Sequence, residues 1–380
     1  MVFRVLFLHF TPHSDFPQLT LNTGSFFMPK IAINISPLSD GNQVRGVGYY
    51  TKNLVSALQT EIKSNPDYRD YQTKLITRNT QLLTDFDLIH YPYFDPFKLT
   101  LPVSSTPLIV TVHDLIPKEY KKHFPVGIRG EIKWLIQKLR LKKAKYIIVP
   151  SLYVKNVVSK IINYPLEQIF ITPEAADPSF RPIFSPQRLK SVQKKYNLPD
   201  KFVLYVGDLN WNKNIPSLVK ACLNLNYPLV IVGSAAVSKV VDHPWNRDII
   251  WLQSQSSRLI HKTGFVPDTD LPFIFNLATI YCQPSFSEGF GLPLLQSMQS
   301  GTATLFADYS SLPEISLSSG LSFNPFLPED LQNKLSLLWT NPNLRQKYIK
   351  KAIIRSQEFS WKNTALLTLN IYRQALDAKK

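Results

Sequence analysis

Cysteine is nearly absent: Cys222 and Cys282 are the only two in 380 residues. Two thiols cannot build a disulfide framework or a multi-cysteine zinc site, which fits a reducing compartment such as the cytosol. Long apolar runs are missing as well. No stretch approaches the roughly 18 to 20 uninterrupted apolar residues of a membrane-spanning helix. Neither H-E-x-x-H nor a complete G-x-G-x-x-G after a strand occurs, which weakens metalloprotease and dehydrogenase readings. Charged residues are sparse at 18%, against about 25% in ordinary domains, while hydrophobic residues reach 44%. A disordered chain is excluded, and the length suits two or three domains with full cores.

Glycine is also scarce, at 13 residues or about half the usual ~7%. Its clusters therefore say more: Gly41, Gly46 and Gly48 form one, Gly289 and Gly291 another. Charge is abundant only locally. The net charge is +16, of which +8 falls between Lys118 and Lys145 and +7 between Arg345 and Lys380. The rest of the chain is nearly neutral, so any electrostatic role belongs to two local surfaces.

Residues 1–27 read as an extension of a different character, with the folded chain starting at Met28. From there strands alternate with helices. Apolar runs predict strands at Ile31–Ile35, Lys74–Thr77, Leu88–Tyr91, Leu108–Val112, Tyr146–Val149 and Ile169–Thr172. Helical spacing of Tyr50, Leu54, Val55 and Leu58 predicts a helix over 47–62. A proline-rich segment, Asp177–Pro186, reads as a linker. The pattern then restarts, with strands at Phe202–Val206, Leu229–Val232, Ile249–Leu252 and Ile280–Gln283, and closing helices at about 343–358 and 361–376. This alternation calls for α/β architecture with parallel sheets and right-handed crossovers. Two such units in tandem place a ligand cleft at the carboxyl ends of their strands.

The segment Pro284-Ser285-Phe286-Ser287-Glu288-Gly289-Phe290-Gly291-Leu292-Pro293 lies between a strand ending at Gln283 and a helix starting near Gly291. Glycines there admit close backbone approach, and a helix start offers unpaired N–H groups to phosphate. Glu288 is placed to accept hydrogen bonds from sugar hydroxyls; a carboxylate that merely steadies the helix start is the alternative. His113 stands directly after a strand, either as a cleft residue or as a strand-end histidine bonded to backbone. Asp85-Phe86-Asp87 and Asp268-Thr269-Asp270 have the D-x-D spacing of metal-dependent transferases. Capping accounts for both equally well, so no metal site and no cofactor are expected.

One order of motifs extends over most of the chain. Gly264-Phe265-Val266, Asp270-Leu271-Pro272, the Pro284–Pro293 segment, Gly301 and Leu312-Pro313-Glu314 follow Tyr205-Val206-Gly207 and Lys213-Asn214. Upstream stand Gly46-Val47-Gly48-Tyr49, His113-Asp114-Leu115-Ile116-Pro117, Pro150-Ser151 and Pro173-Glu174-Ala175-Ala176-Asp177; Phe359-Ser360-Trp361 comes near the end. This series resembles the retaining GT4-type glycosyltransferases, glycosyl transferases group 1. The resemblance implies the GT-B fold, two Rossmann-like parallel-sheet domains facing across a cleft. It implies an N-terminal acceptor-side domain over 28–180, a nucleotide-sugar-binding domain over 181–355, and a last helix, 356–380, crossing back to the first. It further implies transfer of a sugar from GDP-mannose or a UDP-sugar to a glycan hydroxyl, with a lipid-linked acceptor, in cell-surface polysaccharide synthesis and without a metal.

By the same resemblance Glu288 and His113 are the catalytic residues. Gly207, Asn212, Lys213, Gly289, Phe290, Gly291, Leu292 and Gln296 bind the donor, and Gly46 and Gly48 lie on the loop facing donor and acceptor. Two positions depart from the family. Gln296 replaces a second glutamate that contacts the ribose, and Asn212 replaces an arginine before Lys213. Both lower the charge of the site, and they are the only support for an alternative, a catalytically silent glycan-binding or scaffold protein.

The basic segment holds Arg129, Lys133, Lys138, Arg140, Lys142 and Lys143 among Trp134, Leu135, Ile136, Leu139 and Leu141. Cations beside Trp and Leu suit an anionic membrane surface, and a packed helix with a solvated basic face is the competing reading. No nucleic-acid-reading motif accompanies the charge, so a nucleic-acid partner is not expected. The expected location is cytoplasmic, peripheral on the membrane face.

Overall fold

The computed structural model describes residues 28–39, 46–77, 83–239 and 242–377. The amino-terminal extension and Gly41 lie outside these residues. In the first half the order is β1 (Lys30–Asn34), α1 (Gly46–Ser64), β2 (Gln72–Ile76), β3 (Leu88–Tyr91), β4 (Leu108–Thr111), α2 (Ile116–Glu119) and α3 (Gly127–Leu141). It continues with β5 (Tyr146–Val149), α4 (Leu152–Val158) and β6 (Ile169–Ile171). The second half begins with α5 (Pro186–Lys195), β7 (Val203–Val206), α6 (Ile215–Leu225), β8 (Leu229–Val232), α7 (Arg247–Ser254) and β9 (Ile260–Gly264). Then come α8 (Leu271–Leu277), β10 (Ile280–Gln283), α9 (Leu292–Gln299), β11 (Thr304–Ala307), α10 (Leu312–Ser316) and β12 (Leu321–Phe323). Three helices close the chain: α11 (Pro328–Thr340), α12 (Pro342–Ser356) and α13 (Trp361–Asp377).

Among the described residues the strands form two six-stranded sheets, ordered β2-β1-β3-β4-β5-β6 and β12-β11-β10-β7-β8-β9. Every pairing is parallel. Central strands such as LIVT of β4 and LVIV of β8 are buried throughout, as expected of parallel strands with helices on both faces. This is the GT-B architecture that the motif series implies. In the first sheet the order reverses between β1 and β3, in the second between β7 and β10, and ligands collect outside the carboxyl ends of strands at such switch points. Helix α13 returns to the first half, where Ala365, Leu369 and Tyr372 share a core with Tyr50, Leu54 and Leu58 of α1.

Two expectations need correction. Residues Ile249–Leu252 are not a strand but the middle of α7. Four apolar residues in a row suit a strand, but only Ile249 and Leu252 are buried, while Ile250 is exposed, which is the i, i+3 spacing of a helix face. The sheet edge is supplied instead by β9, whose Ile-His-Lys-Thr-Gly carries no apolar run. Gly46 and Gly48 are likewise not on a loop: both stand in the first turn of α1.

Candidate active site

The second sheet's switch point positions the two loops that matter most. The loop after β10 carries Glu288, and the loop after β7 carries Gly207 through Lys213. Lys213 Nζ meets Glu288 Oε2 at 2.7 Å. The other carboxylate oxygen, Oε1, accepts from Gln283 Nε2 at 2.7 Å and from Ser285 Oγ at 2.6 Å. Glu288 also donates its backbone N–H to Ser310 Oγ, and Ser311 Oγ donates to the carbonyls of Glu288 and Phe290. The carboxylate is thus buried and held in one orientation by three residues, with Ser310 and Ser311 fixing its backbone. Burial alone would depress the Lys213 ammonium, but the charge and hydrogen bond of Glu288 outweigh it and hold the group above its ordinary value. The lysine is a fixed cation.

Two glycines in this loop are required by space. A Cβ at Gly289 would stand 2.1 Å from the His113 carbonyl oxygen, so only glycine lets the loop lie against the first half. Gly291 has φ +104 and a Cβ there would meet Leu312 at 2.6 Å. It caps α9, which Leu292 opens; Pro293 has no N–H, and those of Leu294 and Leu295 bond the Gly291 carbonyl, so the Leu292 N–H is what this first turn offers. Phe290 is buried against Phe359, ring centroids 5.8 Å apart. Gly207 directly follows β7 and donates its N–H to the Val232 carbonyl.

Asn212 is used differently from what its position suggests. It is buried, and its Nδ2 donates to the Ser287 carbonyl at 2.9 Å while its own carbonyl accepts from the Phe286 N–H. It braces one loop against the other. Gln296 is buried on α9 in the second turn.

Across the cleft, His113 follows β4. Its Nδ1 is 3.0 Å from Glu174 Oε1 and its Nε2 is 3.1 Å from the Pro92 carbonyl. Burial alone would depress the imidazole, but the hydrogen bond and charge of Glu174 reverse the sign and raise it above its ordinary value. With an acceptor at each nitrogen, the ring is suited to carry both protons. Asp114, beside it, is pushed up by burial.

The two halves are tied around this centre. Ser151 Oγ donates to the Gly289 carbonyl at 2.6 Å, and the Glu314 carboxylate accepts from the backbone N–H groups of Leu152 and Tyr153 at 3.0 and 3.3 Å. The rings of His123 and Trp211 stack at 3.5 Å, and Trp211 stacks on Phe286 in turn. The structure therefore gathers His113, Lys213, Glu288 and Gly289 at one place. Gly46 and Gly48 stand at the start of α1, whose Tyr50 ring packs edge-on against His113, centroids 4.5 Å apart. Glu174 and Glu314 stand within the sequence motifs, but nothing local to them assigns either a role. Gln283, Ser285 and Ser310, which hold Glu288, carried no signal beyond proximity.

One aspartate of each Asp-x-Asp pair has a partner away from the site. Asp87 accepts from the Lys30 backbone N–H, and Asp270 accepts from Lys195 Nζ and Tyr196 Oη. Among the described residues no cluster of three His, Cys, Asp or Glu side chains is arranged to hold a metal ion. No helix among them is long and apolar enough to cross a membrane.

Known proteins resemble this chain in both halves. The family model described as glycosyl transferases group 1 matches residues 187–355, and that described as glycosyltransferase family 4 matches residues 57–180. The O-antigen chain mannosyltransferase B of Escherichia coli is 27% identical over 299 residues, covering 76% of this chain and 75% of the relative. The serotype-specific mannosyltransferase WbdA of Escherichia coli is 29% identical over 301 residues, 75% of this chain but only 36% of that protein. Among solved structures, HepE of Anabaena in complex with UDP and glucose superposes with a TM-score of 0.66 at 14% identity, covering 93% of this chain and 99% of that one.

Proposed function

Since the chain belongs to the group 1, GT4-type glycosyltransferases, we propose that it transfers a hexosyl group, mannose above all, from a nucleotide sugar to a glycan hydroxyl. The observation that carries this reading is the Lys213–Glu288 pair at the β7/β10 switch point, with the start of α9 on one side and His113 on the other. When the bond from the sugar to its diphosphate breaks, the electron pair goes to the diphosphate and positive charge grows at the anomeric carbon. Lys213 and the start of α9 at Gly291 and Leu292 receive the diphosphate charge. Glu288 Oε2, bonded to Lys213 alone, is placed to accept from the sugar's hydroxyls, while both ring nitrogens of His113 are held by Glu174 and the Pro92 carbonyl, so a sugar hydroxyl reaches its Nε2 by displacing that carbonyl. The relatives that act on O-antigen chains support mannose and a polysaccharide acceptor, and the neighbour in complex with UDP and glucose supports a nucleotide-sugar donor.

The finer reading is a retaining, metal-independent transfer to a lipid-linked acceptor at the cytoplasmic membrane face. Lys213 and the helix start supply the charge that a divalent ion supplies in other transferases. The test incubates the purified protein with GDP-mannose or UDP-sugars and a glycan acceptor. Release of the nucleotide, an unchanged anomeric configuration in the product by NMR, and activity that persists in EDTA are expected. Strict dependence on manganese or magnesium would reject the metal-independent reading. No turnover of any donor would leave the silent scaffold.

A further inference from the structure

Helix α3 presents the wrong face to water for an ordinary packed helix. Trp134, Gln137 and Leu141 are its buried residues, whereas Ile128, Ile132, Leu135 and Leu139 are 81%, 53%, 58% and 64% exposed. Their spacing of four, three and four residues puts them in one stripe along the helix. The fold holds the helix by other means: Gln137 Nε2 donates to Thr100 Oγ1 at 2.7 Å and Arg140 Nη1 to the Leu101 carbonyl at 2.6 Å. The segment so anchored adds two more exposed apolar side chains, Leu99 at 50% and Val103 at 79%. An apolar surface of this extent on a soluble face marks an interaction site.

The charge says what covers it. Glu131 is the acid of this helix, and the buried Lys118 holds both its carboxylate oxygens at 2.8 Å. Around the stripe, Arg129, Lys133, Lys142 and Lys143 are exposed. A second copy of this chain would oppose two surfaces of the same sign, and nucleic acid would gain nothing from aliphatic side chains. We infer that α3 docks the protein on an anionic lipid bilayer, with the Ile128–Leu139 stripe entering the boundary between headgroups and acyl chains and the cations meeting the headgroups. The inference rests on the proposed transfer to a lipid-linked acceptor, but lipid binding is read without any glycosyl transfer, so the two fail separately.

The experiment uses vesicles of phosphatidylglycerol and phosphatidylcholine in equal parts and follows co-flotation of the full chain. The parent should float with these vesicles and not with phosphatidylcholine alone. The variant Ile128→Gln/Leu135→Gln/Leu139→Gln keeps every charge and should bind at least about tenfold more weakly. The variant Arg129→Gln/Lys133→Gln/Lys142→Gln/Lys143→Gln should lose binding in step with the parent's own loss at raised salt. Lys138 and Arg140 are left intact, because Lys138 lies over the Trp134 ring and Arg140 holds Leu101. Leu135→Cys offers a second readout, since Cys222 and Cys282 are buried and a polarity-sensitive fluorophore will label the new thiol selectively. Its emission should shift to the blue on adding the anionic vesicles. Flotation of the apolar variant equal to the parent's, or a label that reports water throughout, overturns the inference. So does a parent that binds an acidic protein or an oligonucleotide but not the vesicles.

Discussion

At the scale of single residues, Glu288 is a carboxylate with every oxygen engaged before any donor arrives. Replacing it by glutamine preserves shape and removes the charge that faces Lys213. Glu288→Gln should reduce turnover by at least about tenfold, or ~1.4 kcal/mol of transition-state stabilisation, and should lower the melting temperature without abolishing folding, because Lys213 loses the charge that offsets its burial. Turnover close to normal in a working assay would reject its role. Glu174 acts on the reaction through His113. The folded-state value of His113 lies above its ordinary one, so the stabilisation from this pair is present below the unfolded value and fades as pH rises through the folded one. In Glu174→Gln the charge is gone and burial is left to depress the imidazole. An NMR titration should therefore show His113 losing its proton at lower pH than in the parent, and the pH profile of turnover should shift the same way. An unmoved titration would mean that Glu174 does not set the charge of His113.

At the scale of elements, the return of α13 to the first half rests on a buried polar contact as well as on packing. His90 of β3 has Nδ1 at 2.7 Å from Tyr372 Oη and Nε2 at 2.8 Å from Thr111 Oγ1. Burial, with a smaller contribution from His113, pushes His90 down to about 3 from an ordinary 6.5. The unfolded chain therefore binds a proton that the folded chain refuses. The stabilisation is complete above pH 6.5 and is lost as pH falls from there toward 3. Denaturant midpoints measured across this range should drop steadily in the parent and less steeply in His90→Gln. Equal slopes would mean that other groups dominate acid unfolding. Tyr372→Phe leaves His90 without one partner and should cost about 1 to 3 kcal/mol.

At the scale of the whole molecule, the two sheets meet through a few directed contacts around the cleft. Glu314 is the clearest of these, a carboxylate from one half that accepts two backbone N–H groups from the other. Burial raises its pKa while those N–H groups act against the rise. Glu314→Ala removes both bonds without touching either core. It should widen the cleft, read as a larger radius of gyration in small-angle scattering, and lower turnover while each half keeps its cooperative unfolding. An unchanged radius would show that the contacts left in place, the Ser151–Gly289 bond and the ring stack of His123, Trp211 and Phe286 among them, close the cleft without Glu314.

Much of this was legible in the sequence because its signals are local. Buried parallel strands announce themselves as short β-branched runs, so β5 and β8 are read to the residue. A loop where glycines, a carboxylate and a helix start coincide points to Glu288 without any coordinates. Where a signal is averaged over the surroundings, the sequence is silent or misleading. Ile249–Leu252 suits either element, and only its neighbours decide which two side chains face inward. β9 is a strand because β8 offers it an edge, not because Ile-His-Lys-Thr-Gly favours one. Asn212 reads as a weakened cation site, yet tertiary contact makes it a brace between loops. Glu174 and His113 stand 61 positions apart, and no spacing rule connects them. In α3 the composition announces an amphipathic basic helix but not which face is outward. Burial of Trp134, Gln137 and Leu141 settled that, because a helix turns its side toward whatever the rest of the fold places beside it.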